Sequence, residues 1–271
     1  MYEKYTLILM LFFLILVSCN AKKNPEDKRR SGAAKANSPL SGGNTNGNTN
    51  SLHKSYEIIK NTYTDENVKI SYPQITHLSN ASLEKKINEI LKGDAFKVLN
   101  DYGGISDDLT LDLNYAIKLK SDNLLSICYS GLGNVKGTAH PNHIFYTTNI
   151  NIPNGSRIKL KDIISIDDNF IKKLKKAKYI AWEAHADKEL ESAIYEQLNS
   201  LDDDMLKNML MNADSLDGDV FSYLTKDSLG ISLGVPHALG DHAEFEMKYS
   251  DIKNNIKTES VIWNEFYQRS I

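Results

Sequence analysis

Leu109-Thr110-Leu111-Asp112-Leu113-Asn114-Tyr115 has the apolar–polar rhythm of a strand. Leu124-Leu125-Ser126-Ile127-Cys128-Tyr129-Ser130 and Ile144-Phe145-Tyr146-Thr147-Thr148-Asn149-Ile150-Asn151-Ile152 repeat it at short intervals. A period of two sends successive side chains to opposite faces of a pleated strand, and short links favour antiparallel neighbours. The stretch 109–152 therefore predicts a three-stranded antiparallel meander.

The same reading extends outward in both directions. Upstream, folded structure is expected to begin near Tyr56, and Val68-Lys69-Ile70-Ser71-Tyr72-Pro73 reads as a strand ending at the proline. Asn80 suits the N-cap of a helix whose Leu83, Ile87, Ile90 and Leu91 form one apolar stripe. Downstream, Pro153-Asn154-Gly155-Ser156 makes a turn and Arg157-Ile158-Lys159-Leu160 a short edge strand. Asp167 or Asp168 then caps a lysine-rich helix with Phe170, Leu174 and Ala177 on one side. Helical patterns follow at 184–198 and 205–211, and strand patterns return at 220–225, 230–233 and 245–249. The expected class is α+β, an antiparallel sheet with two to three helices packed on one face.

The N-terminus carries a different signal. An apolar run from Leu7 to Val17 follows Lys4 and closes on Leu16-Val17-Ser18-Cys19. Such a run is about half the length of a membrane-spanning helix, and small residues leading into a cysteine are the mark of a bacterial lipoprotein signal. Residues 1–18 are expected to be removed and Cys19 to be lipidated, each buried methylene adding ~0.8 kcal/mol to membrane anchorage. Asn20 stands where an aspartate would favour inner-membrane retention, so the outer membrane or cell surface is the expected address. Residues 19–52, rich in Asn, Gly, Ser and Thr, read as a flexible tether. Residues 53–271 form the folded domain, with two intertwined subdomains expected at about 56–130 and 131–255.

Charge is divided between these segments. The chain carries a formal net charge of -3, residues 21–50 carry six basic and two acidic side chains, and residues 1–20 balance, which leaves -7 on residues 51–271. The basic tether suits anionic headgroups, while an acidic body gives no footprint for nucleic acid. Two cysteines are present; with Cys19 acylated, Cys128 has no intrachain partner and is expected to be a buried small apolar residue.

His140-Pro141-Asn142-His143 and the pair His237 and His242 are the candidates for chemistry. Were the two loops to meet, four imidazoles would surround a metal, although neither paired cysteines nor helical i, i+4 histidines are present. Asp202-Asp203-Asp204 and the acidic residues from Asp214 to Asp219 fit helix capping and turns better than a calcium loop. No nucleophile elbow, phosphate loop or dinucleotide fingerprint occurs, and no cofactor is expected.

Gly137-Thr138-Ala139-His140-Pro141-Asn142 resembles the Gly-x-Ala-His-Pro segment of the RsiV-like extracytoplasmic domain family. That family supplies the outer domain of a lysozyme-sensing anti-sigma factor and a domain ahead of a peptidoglycan deacetylase. Val68 to Ile75, Leu83 to Ile90, Asn149 to Ile163 and Val235 to Ala243 resemble its other motifs in the same order, with Tyr249-Ser250-Asp251-Ile252 closing the series. The resemblance covers Tyr56 to Lys253, with His237 and His242 where the family often has tyrosine. It implies an α+β binding or sensing module, not an enzyme; His140, Pro141, His143, His237, Asp241 and His242 are the candidate ligand-binding residues. The partner it implies is a lysozyme-like extracellular protein or cell-wall glycan, met by a lipid-anchored body without the anti-sigma factor's membrane span. A metal-dependent hydrolase using His140, His143, His237 and His242 is the alternative.

Overall fold

The computed structural model describes residues 56–181, 187–215, 217–263 and 266. The expected signal peptide, Cys19 and the tether lie outside the described residues. Strands β1 (Glu57–Asp65) and β2 (Val68–Thr76) form a hairpin. Helices α1 (Ala81–Phe96) and α2 (Val98–Asp101) follow, then β3 (Leu109–Lys120), β4 (Leu124–Val135), β5 (Asn142–Asn151) and β6 (Ser156–Arg157). The chain continues through α3 (Leu160–Ile163), α4 (Asp168–Leu174), β7 (Lys178–Ile180), α5 (Lys188–Ser200) and α6 (Asp203–Met211). It ends in β8 (Val220–Leu224), β9 (Ser228–Gly234), β10 (His242–Lys248) and short 3₁₀ turns.

The fold is α+β, and its strands make two sheets. The six-stranded sheet runs β1-β2-β3-β4-β5-β6 and holds the expected meander, with Tyr115 opposite Tyr129 and Tyr129 opposite Tyr146. Its one parallel pair joins β2 to β3 at Val68–Leu111 to Ile70–Leu113. Parallel neighbours need a long crossover, which α1 and α2 provide. The four-stranded antiparallel sheet runs β7-β10-β9-β8.

Local chemistry explains most boundaries. Asn80 Oδ1 accepts from Leu83 N at 3.0 Å and Asp167 Oδ1 from Phe170 N at 2.8 Å, so both expected caps are made. β2 runs through Pro73 to Thr76 instead of ending at the proline. Pairing with β3 stops at Ile70, so Pro73 lies where β2 has only β1 beside it and its missing N–H is tolerated. Leu160 belongs to α3 and not to the edge strand, which is confined to Ser156–Arg157.

Each sheet buries one face against helices. Ile87, Leu91 and Ala95 of α1 pack on Ile70, Leu113, Ile127 and Tyr129. Phe170 and Leu174 of α4, Ile194 and Leu198 of α5, and Leu206 and Leu210 of α6 pack on Ile231, Leu233, Phe245 and Met247. The sheets meet through a polar seam. Thr147 Oγ1 and Asn149 Nδ2 donate to Ser222 O at 2.6 and 2.8 Å, and Leu224 N donates to Ser126 Oγ at 2.9 Å. These bonds satisfy buried polar groups and fix how β8 docks on β4 and β5. Cys128 is buried beside this seam, and burial pushes its thiol well up, which suits a small apolar residue.

Candidate functional site

At one end of the seam lies a cleft of about 520 Å³. Its walls come from the end of α1 with α2, the start of β5, the turn at 217–219, the end of β9 and the start of β10. Sequence-distant segments thus converge where β8 of one sheet docks on β4 and β5 of the other.

Both histidine loops reach this place. Asp241 joins them: its Oδ2 accepts from His143 N at 2.7 Å and its Oδ1 lies 2.8 Å from His237 Nδ1. Gly240 and Asp241 have φ of 99° and 68°, a left-handed pair that turns the carboxylate back toward β5. Val235 N closes the loop onto Asp241 O at 3.0 Å. The rings of His140 and His237 stack at 5.9 Å outside the cleft, and Pro141 is exposed next to them. His242 is buried against Phe145, with ring centroids 4.6 Å apart. Burial is the main force that holds its imidazole down at about 3, with His143 adding to it and Asp241 opposing.

His143, Asp241 and His242 line the cleft, whereas His140, Pro141 and His237 stand outside the set that lines it. Among the described residues no group of three His, Cys, Asp or Glu side chains is placed to hold one metal ion. The four histidines meet without converging on a point: two stack in solvent and one is packed on an aromatic ring.

The strongest electrostatic feature of the cleft is one that periodicity did not single out. Asp101, Asp217, Asp219 and Asp241 line it together with one ammonium, Lys97. Lys97 Nζ sits 4.3 Å from the Tyr146 ring centre and 4.6 Å from that of Phe221. Burial lowers its pKa, against the opposing charges of Asp94, Asp101 and Asp217. Asp101 is raised, first by burial and then by Asp217 and Asp219, with Lys97 opposing. Gly133 leaves room for Tyr102, since a Cβ there would stand 2.1 Å from the Tyr102 hydroxyl. Asp202 does cap α6, accepting from Asp204 N and Met205 N, and Asp214 and Asp217 lie in turns. Asp214 accepts from Leu160 N, Ser222 N and Ser222 Oγ, each at 2.7 Å, tying the second sheet to α3. The Asp-Gly-Asp fragment was the available sequence signal, and only the fold sets it opposite Asp101.

No protein-family model matches this chain, and no curated protein does. Among solved structures, a DUF3298 family protein from Pseudomonas aeruginosa is similar at a TM-score of 0.46 and 12% identity, covering 75% of this chain and 94% of that one. A member of the DUF3298 family from Bacteroides fragilis is similar at a TM-score of 0.44 and 15% identity, covering 77% of this chain and 95% of that one.

Proposed function

We propose that this chain is an envelope lipoprotein, anchored through Cys19, whose body is a non-catalytic RsiV-like module that binds an extracellular cationic protein of the lysozyme kind. The observation that carries the reading is the convergence of both histidine loops, through Asp241, on the edge of an acidic cleft. The ordered motifs from Val68 to Ile252 support the family reading, and the charge of -7 on residues 51–271 favours encounter with a basic partner. The hydrolase reading needs three ligands around one cation, which the described residues do not assemble.

The test uses the full lipidated chain in detergent, with lysozyme and insoluble peptidoglycan offered separately at physiological ionic strength. Retention of lysozyme supports the proposal. Retention of peptidoglycan alone moves the ligand to the cell-wall glycan, and retention of neither sinks the binding reading. For the anchor, Cys19→Ser is expected to move the chain from the membrane fraction to the soluble one. A variant that stays membrane-bound would remove the lipoprotein assignment.

A further inference from the structure

Beside the cleft, across the turn at Gly218 and Asp219, lies a second groove of about 630 Å³. Met205 and Met209 of α6 and Val220 form its apolar part, and Met205 is 54% exposed. The two hollows share Gly218 and Asp219, so a single extended segment can lie in both. We infer that they form one two-part docking surface for a segment of a cationic protein, an arginine or lysine side chain entering the acidic cleft and a large apolar side chain lying on Met205 and Met209.

Three observations select that occupant. The cleft sets four carboxylates against one lysine, and Lys97 is engaged by two aromatic rings and by Asp94 behind it. A bound cation relieves the crowding of Asp101 by Asp217 and Asp219. Ser232, on the cleft wall and 1% exposed, has a buried Oγ without a hydrogen-bond partner among the described residues. Guanidinium and ammonium groups are pure donors, and the four carboxylates and the Ser232 hydroxyl can all accept. Because the acceptors do not converge in threes, the cleft fits a broad, multi-donor guanidinium better than a point ion. On the apolar side, unbranched methionines adapt to whatever large side chain lies on them.

The inference rests on the binding reading, and the experiment separates the two. The full chain is titrated calorimetrically with a hexapeptide of alternating arginine and leucine. A citrulline-for-arginine version and a glycine-for-leucine version serve as controls that need no protein variant. The arginine–leucine peptide is expected to bind and the citrulline version to bind about tenfold more weakly, since charge-assisted bonds are lost. The glycine version, and Met205→Ser against the parent peptide, are each expected to lose about threefold to fivefold. Asp101→Asn with Asp219→Asn removes repulsion, so this variant is expected to stay folded by circular dichroism and to bind the parent peptide about tenfold more weakly. No binding of the parent peptide at millimolar concentration, or equal affinity for the citrulline version, overturns the inference. Lysozyme retained equally by wild type and the double variant also overturns it while leaving the binding reading intact. Peptide binding without lysozyme retention supports the docking surface and removes lysozyme as partner.

Discussion

Asp241 carries two loops on one carboxylate, and its backbone is held left-handed to do so. Replacing it by alanine leaves the His143 amide without its acceptor and frees His237. Asp241→Ala is expected to cost about 1–3 kcal/mol in urea denaturation and to speed hydrogen exchange at the His143 amide. An amide that remains protected would show that the loops are held by something else. His242 makes a pH prediction. Its folded value of about 3 lies below the 6.5 of an unhindered imidazole, so its stabilising contribution is full above about 6.5 and is lost as pH falls toward 3. Asp214 acts in the opposite sense: burial raises it from 3.8 to about 6, so its contribution is full below 3.8 and is lost as pH rises through 6. The His242→Asn chain should therefore lose less stability than wild type between pH 6.5 and 4, and Asp214→Asn more, as read from denaturation midpoints. Parallel curves for His242→Asn and wild type would contradict the assignment.

At the scale of elements, glycines divide into those the fold requires and those it merely tolerates. A Cβ on Gly131 of β4 would stand 2.1 Å from the backbone oxygen of Asp112 on the neighbouring strand. On Gly230 of β9 it would stand 2.1 Å from the ring of Tyr223, whose hydroxyl donates to Glu246 and whose face carries Lys118 at 4.5 Å. Gly131→Ala and Gly230→Ala are each expected to destabilise by about 1–3 kcal/mol or more, because neither a strand backbone nor a locked ring has room to move. Gly93, exposed in α1 with nothing within 4 Å of an added Cβ, predicts the reverse. Gly93→Ala should stabilise by about 0.5–1 kcal/mol in the same denaturation series. The elements themselves were legible where a local rule applies: the Asn80 and Asp167 caps, the α1 stripe and the 109–152 meander all read directly. Two strands were not. β1, with six exposed residues at a sheet edge, has no clean alternation, and β7 is three residues that pair only with β10.

For the whole molecule, charge and layering set the behaviour. An acidic body meeting a cationic partner should bind less tightly as salt rises, because the Debye length falls from about 10 Å at 0.1 M to about 3 Å at 1 M. Lysozyme retention that does not change over that range would show apolar contact, not charge, to be dominant. The layering also explains which residues of the site could be read beforehand. The two histidine loops stood out as motifs, and their meeting through Asp241 depends on β5 and β10 beginning side by side.

Alternation, capping residues and the apolar stripe by themselves determined the α+β class, the central meander and most helices, because each arises from contacts between residues near in sequence. The composition likewise determined the acidic body, and the apolar run around Cys128 pointed to its burial. Only the tertiary structure decided that the strands separate into two sheets, that the polar residues of β5 turn toward β8, and that Asp101 faces Asp217 and Asp219. Those relations join residues about 75 or more positions apart. Nothing local encodes them: they follow from how two layers, each packed on its own helices, dock so as to satisfy Ser126, Thr147, Asn149 and Ser222.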